Sequence, residues 1–160
     1  MHARSLKLLI TGVPGTGKTV VADYIAREHG FYHVDMERDG FRSRHEFSLD
    51  SASFLAGLAG RDVVVSWGFS PFTNRRSIEA FTDDGFALFW FDGDRVASFR
   101  EFMRREGNDP VRECEYYGQM QMIVATEFVE RVKPIIVNPF DENGDFRPAG
   151  KIAAEILGAV

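Results

Sequence analysis

The chain has 160 residues, 44% apolar and 27% charged, enough for one domain with a real core, and this excludes a disordered chain. A net charge of −5 without a basic block argues against a broad nucleic-acid surface, and no apolar run has the length of a signal core or a membrane span. One cysteine, Cys114, excludes an intramolecular disulfide framework and points to a reducing, cytoplasmic setting.

Leu6 to Thr11 reads as a buried strand. It runs into Gly12-Val13-Pro14-Gly15-Thr16-Gly17-Lys18-Thr19, two spaced glycines and then Gly-Lys-Thr, the pattern of a P-loop. A phosphate chain needs many N–H donors converging on one concavity, and glycines let the backbone approach its oxygens without Cβ clashes. Lys18 then sets an ammonium against the outer phosphates, and the Thr19 hydroxyl is placed to ligate Mg²⁺. Val20, Val21, Tyr24 and Ile25 recur at helical spacing, so a helix N-terminus faces the same anion. Gly30 is its left-handed cap. A Gly-rich turn without function is the competing reading, and the strand before and helix after weigh against it.

Phe31 to Val34 is a short strand with Asp35 at its end, where an open α/β sheet lines its ligand crevice. Glu37 and Asp39 follow, with Arg38, Arg42 and Arg44 among them; a solvated charged loop is the alternative there. Apolar residues from Phe47 to Leu58 fit a helix covering the site. Val63 to Trp67 is a continuous apolar run suited to a central parallel strand. Asn74 to Phe81 reads as a helix, Phe86 to Phe91 as a strand, and the stretch from Asp94 as a helix with Val96, Phe99, Phe102 and Met103 on one face. Arg100, Arg104 and Arg105 end that helix before the Glu106–Pro110 break. A second long helix through Met122, Ala125, Val129 and Val132, the strand Ile135–Val137, a loop, and a last helix over Lys151–Leu157 complete the chain. Five strands alternating with helices predict a three-layer α/β fold with a parallel sheet.

On these residues the chain resembles the small P-loop kinases of the nucleoside-monophosphate-kinase type, such as shikimate, gluconate and adenylate kinases. The resemblance implies a P-loop NTPase fold with a five-stranded parallel sheet of order 2-3-1-4-5 in one domain over 1–160, with an acceptor flap at about 36–60 and a lid at about 105–118. Asp35-Met36-Glu37 falls where shikimate and gluconate kinases carry an Asp-x-Asp pair, which implies Asp35 in the Mg²⁺ shell and Glu37 facing the acceptor, with either as base. Arg42 and Arg44 fall where such kinases grip an acceptor carboxylate or phosphate. Arg100, Arg104 and Arg105 are similar to the lid cluster that stacks on adenine and neutralises the migrating phosphoryl; an exposed helix end is the plain alternative.

Departures from the family are equally specific. The third strand ends in Ser66 where many P-loop proteins carry a carboxylate, and Trp67, Phe69 and Phe72 stand where shikimate kinases have a glycine run. Those rings, with Phe41 and Phe47, suit an acceptor with a flat or apolar body as well as they suit an aromatic core. Arg75 and Arg76 fall near the same end and allow the acceptor an anionic tail. The expectation is an ATP- and Mg²⁺-dependent phosphotransferase acting on a small-molecule hydroxyl or a nucleoside monophosphate, with no nucleic-acid or membrane partner. The alternative is a nucleotide-binding module or slow ATPase without an acceptor.

Overall fold

Five apolar runs assemble into one parallel sheet in the order β2-β3-β1-β4-β5, as the resemblance implied. They are β1 (Lys7–Gly12), β2 (Tyr32–Asp35), β3 (Val63–Ser66), β4 (Ala87–Phe91) and β5 (Ile135–Val137). The helices are α1 (Lys18–His29), α2 (Arg38–Leu49), α3 (Ser51–Ala56), α4 (Pro71–Asp83), α5 (Arg95–Glu106), α6 (Pro110–Ala125), α7 (Phe128–Val132) and α8 (Ala149–Gly158). This computed structural model describes residues 5–68 and 71–160, with the backbone alone for 71–75. Phe69 therefore lies outside the described residues, as do the side chains of Phe72 and Arg75.

Alternation along the strands sorts side chains into two layers. Leu8, Ile10, Val64, Phe89 and Phe91 pack with Val21, Ile25, Ile152 and Ile156 of α1 and α8. On the opposite face Leu9, Val63, Val65, Leu88 and Trp90 meet Phe81, Phe102, Ile123 and Phe128. Phe47 stacks on Phe81 with ring centroids 4.9 Å apart, and Trp67 meets both rings edge-on. Burial of each such ring contributes about 1.5–3 kcal/mol, so the phenylalanine content is largely core. Among the described residues no helix is long and apolar enough to cross a membrane.

Local chemistry sets the helix ends. Asp94 accepts from the Ala97 amide at the start of α5, Asp50 from Ser53 at the start of α3, and Gly30 closes α1 with φ 74°. Several expectations shift for such reasons. The second long helix, expected through Met122, begins already at Pro110, because Asp109 caps it and proline fits its first turn. Its apolar period is unclear because only Tyr116 and Ile123 are buried along it. The helix expected to run on to Val132 breaks at Glu127, where φ is 48°. The helix expected over 47–58 is two, divided at Asp50 (φ −154°, ψ 89°). Val20 and Val96, expected on inward stripes, are 65% and 80% exposed.

Candidate active site

β1 delivers the P-loop at the sheet centre. Gly12 has φ 137° and lies so close to the Phe91 backbone that a Cβ there would overlap it. Gly15, φ 73°, lies against the Ser98 carbonyl and the Phe102 amide, which locks the loop onto α5. Only glycine fits both positions. Gly17 precedes Lys18, the first residue of α1, so the unpaired N–H groups of that helix line the loop. Val13 is itself buried, but its carbonyl accepts from Thr16 Oγ1 at 2.7 Å and from Lys18 Nζ at 2.8 Å.

The Lys18 ammonium is poorly hydrated at the floor of the cleft, which lowers its pKa to about 8. Glu37 pulls against that loss and Arg105 adds to it. An arriving phosphate supplies the missing counter-charge.

β2 ends at Asp35, whose carboxylate is buried and whose Oδ2 lies 3.4 Å from Thr19 Oγ1. Its Oδ1 accepts the Glu37 amide at 2.9 Å, turning the chain so that Glu37 enters the cleft. There the Glu37 carboxylate lies over Gly68, where a Cβ would meet Oε1 at 2.7 Å. Burial raises the Glu37 pKa, an effect that Lys18 opposes and Asp35 reinforces. A carboxyl group tuned upward is a better proton acceptor at neutral pH than an ordinary one.

One cleft of about 690 Å³ is lined by the loop residues Gly12 and Pro14 to Val20, and by Glu37, Phe41, Trp67, Gly68, Phe102, Arg105, Glu106, Arg112, Glu115 and Gln119. Of the expected lid cluster, only Arg105 lines it; its Nε is 2.8 Å from Glu106, and its charge reaches both Lys18 and Glu37. Arg104 turns to Glu101 at 2.9 Å, and Arg100 donates to the Gly144 carbonyl at 2.6 Å. Arg112 faces the cleft instead, paired with Glu115 at 2.8 Å. Its position is hidden in sequence because Asp109 and Pro110 read as a break rather than as the start of α6.

In the stretch expected as an acceptor flap, Arg42 is paired with Glu46 along α2 and does not line the cleft. Arg44 lies over the Phe41 ring at 5.9 Å, outside the lining but near enough to act on Glu37. Trp67 is 2% exposed, a core ring with an edge on the cleft, whereas Phe41 is half-exposed. Phe41 reaches the cleft because Asp39, Gly40 and Phe41 all take positive φ, 52°, 65° and 64°, at the start of α2. For Asp39 and Phe41 this conformation costs about 1–2 kcal/mol each. Of the three, Gly40 alone carries the usual compositional mark of that conformation.

Thr19 and Asp35 offer hard oxygen ligands suited to Mg²⁺. Among the described residues no group of three or more His, Cys, Asp or Glu side chains forms a metal cage. That donor set fits an ion completed by phosphate and water oxygens.

Comparison with known proteins agrees with this frame. The model of the family "ATPase family associated with various cellular activities (AAA)" matches residues 8–64, which hold the P-loop. A gluconokinase from Sinorhizobium meliloti 1021 superposes with TM-score 0.58 at 19% identity, over 98% of this chain and 92% of that one. A shikimate kinase from Bacteroides thetaiotaomicron gives 0.59 at 16% identity, over 96% and 97%. The shikimate kinase from Acinetobacter baumannii in complex with shikimate gives 0.63 at 15%, over 97% and 92%. No curated protein matches by sequence. The chain has the P-loop NTPase-like fold of these kinases, and at such identity the likeness is one of fold.

Proposed function

We propose that this chain is an ATP-dependent phosphotransferase that moves the γ-phosphoryl of ATP to a small-molecule acceptor bearing a hydroxyl or phosphate. The observation that carries the reading is the single cleft in which Lys18 and Arg105 face Glu37, with the Thr19–Asp35 oxygen pair at its edge. Phosphate-binding loops alone serve many ends; a loop that shares its cleft with a proton-accepting carboxyl suits transfer to a hydroxyl.

The P-loop amides and Lys18 bind and orient the phosphate chain. Thr19 and Asp35 would hold magnesium, which when bound would screen the phosphate charge. Glu37, close to Lys18 and kept partly desolvated, accepts the proton of an acceptor hydroxyl as its oxygen attacks; for a phosphate acceptor no such base is needed. Arg105 and Arg112 stabilise charge on the equatorial oxygens of the transferring group once they exchange their Glu106 and Glu115 partners for it. Phe41 and the Trp67 edge give the acceptor wall an apolar surface. The kinship in fold with gluconate and shikimate kinases supports a compact polar acceptor, whereas the rings favour one with a flat or apolar part.

The test is nucleotide-dependent stabilisation followed by turnover. Millimolar ATP with Mg²⁺ raises the melting temperature of the chain, and Lys18→Ala abolishes the rise. An unchanged melting temperature in the wild-type protein contradicts the reading.

A further inference from the structure

Strands β2 and β3 pair in register, with Asp35 opposite Ser66 and His33 opposite Val64. Ser66 holds the strand-end position that many P-loop proteins give to an acidic residue, yet its hydroxyl is engaged with His33 Nε2 at 2.8 Å. The other ring nitrogen, Nδ1, lies 2.8 Å from Asp23 Oδ1 on α1. A carboxylate only accepts, so Nδ1–H donates to Asp23, while the Ser66 hydroxyl, which can accept or donate, holds the ring at Nε2. Both Ser66 and the His33 ring are buried, so this orientation is well fixed.

From Asp23 the connection continues outward. Asp23 Oδ2 accepts from Arg38 Nη2 at 2.6 Å, and Arg38 Nε lies 3.2 Å from Asp35 Oδ2. That is the Asp35 oxygen nearest Thr19 Oγ1. One guanidinium thus spans two carboxylates, the anchored one on α1 and the one at the end of β2 beside Thr19. None of these residues except Thr19 lines the cleft, so Asp23, His33 and Arg38 act through Asp35.

We infer that Asp23 and His33 are positioning residues that hold the Arg38 guanidinium and, through it, set Asp35 Oδ2 beside Thr19 for the metal. The inference rests on the phosphotransferase reading. Two effects work in one direction. The fork fixes the Asp35 rotamer, and the Asp23 charge shares the Arg38 cation. Without Asp23 that cation falls on Asp35 alone and weakens its pull on a divalent ion.

The test compares ATP affinity measured with Mg²⁺ and with EDTA, using the full chain, so the readout is binding and not turnover. Wild-type protein binds ATP more tightly with Mg²⁺. Asp23→Asn and His33→Leu cut that advantage about tenfold, the low end for partners of metal ligands, while affinity in EDTA stays within about twofold. His33→Asn, whose amide reaches the Nδ1 position, restores most of it. Asp23 is half-exposed, so Asp23→Asn decides the matter if His33→Leu fails to fold. A wild-type advantage that Asp23→Asn retains, even with a lower melting temperature, overturns the inference alone. Absence of any Mg²⁺ advantage in wild type overturns the phosphotransferase reading and this inference with it.

Discussion

Lys18 holds its charge in surroundings that hydrate it poorly, and the consequences are measurable through pH. With its pKa lowered to about 8 from 10.5, the unfolded chain binds more protons between those values. The contribution of this group to stability therefore rises with pH across that window. Nucleotide affinity runs the other way. The ammonium form binds phosphate, so ATP affinity measured calorimetrically falls as pH passes above about 8, approaching tenfold per pH unit, and binding there takes up a proton. A second residue-scale expectation separates binding from chemistry. Asp35→Asn lowers kcat by about 100-fold or more, in the range of lost metal or oxyanion partners, while ATP affinity in EDTA changes little. Lys18, Thr19 and Asp35 were legible in sequence because a contiguous motif and a strand end carry them. The chain of Ser66, His33, Asp23 and Arg38 was not, since its members stand on four elements and meet only through sheet register and helix packing.

At the scale of elements, the loop depends on what α5 and α6 hold behind it. Gly15 lies against the Ser98 carbonyl with φ 73°, so Gly15→Ala strains the backbone and pushes α5 away. Chemical denaturation should show a loss above about 1 kcal/mol, beyond the usual effect of an exposed glycine substitution. Tyr116 joins the two helices from the other side: its buried hydroxyl meets Ser98 Oγ at 2.5 Å and donates to the Arg95 carbonyl at 3.0 Å. Burial raises its pKa despite the Ser98 bond, so it stays a neutral phenol. Tyr116→Phe removes both bonds, leaving the Ser98 hydroxyl only its bond to the Arg95 carbonyl, and costs about 1 kcal/mol on the same measurement. Strand identities and order followed from apolar runs alternating with helical stretches. The helix ends from Glu106 to Lys133 did not. Asp109 and Pro110 were read as a break when together they start α6, and left-handed Glu127 and Lys133 leave no compositional mark. Arg112 was lost with that boundary.

Across the whole molecule, the donor half and the acceptor half of the cleft are built differently. The donor half rests on backbone fixed by glycines at the sheet centre, which a motif reveals. The half proposed for the acceptor is made of side chains just beyond β2 and β3 and on α2, where Phe41 arrives through a left-handed turn and Trp67 belongs mostly to the core. Ligand binding to the folded form alone stabilises it by about 2.7 kcal/mol at a hundred times Kd, or roughly 5–10 °C for a chain of this size. That shift reports the donor half only. Transfer needs both halves, so the most direct measurement is ADP release with Mg-ATP across a panel of hydroxyl and nucleotide acceptors, with mass spectrometry of the acceptor. The account predicts that at least one acceptor accelerates ADP release, gains a phosphoryl group, and loses both effects with Asp35→Asn. ATP binding with only slow hydrolysis, the same with every acceptor and unchanged in Asp35→Asn, would contradict it.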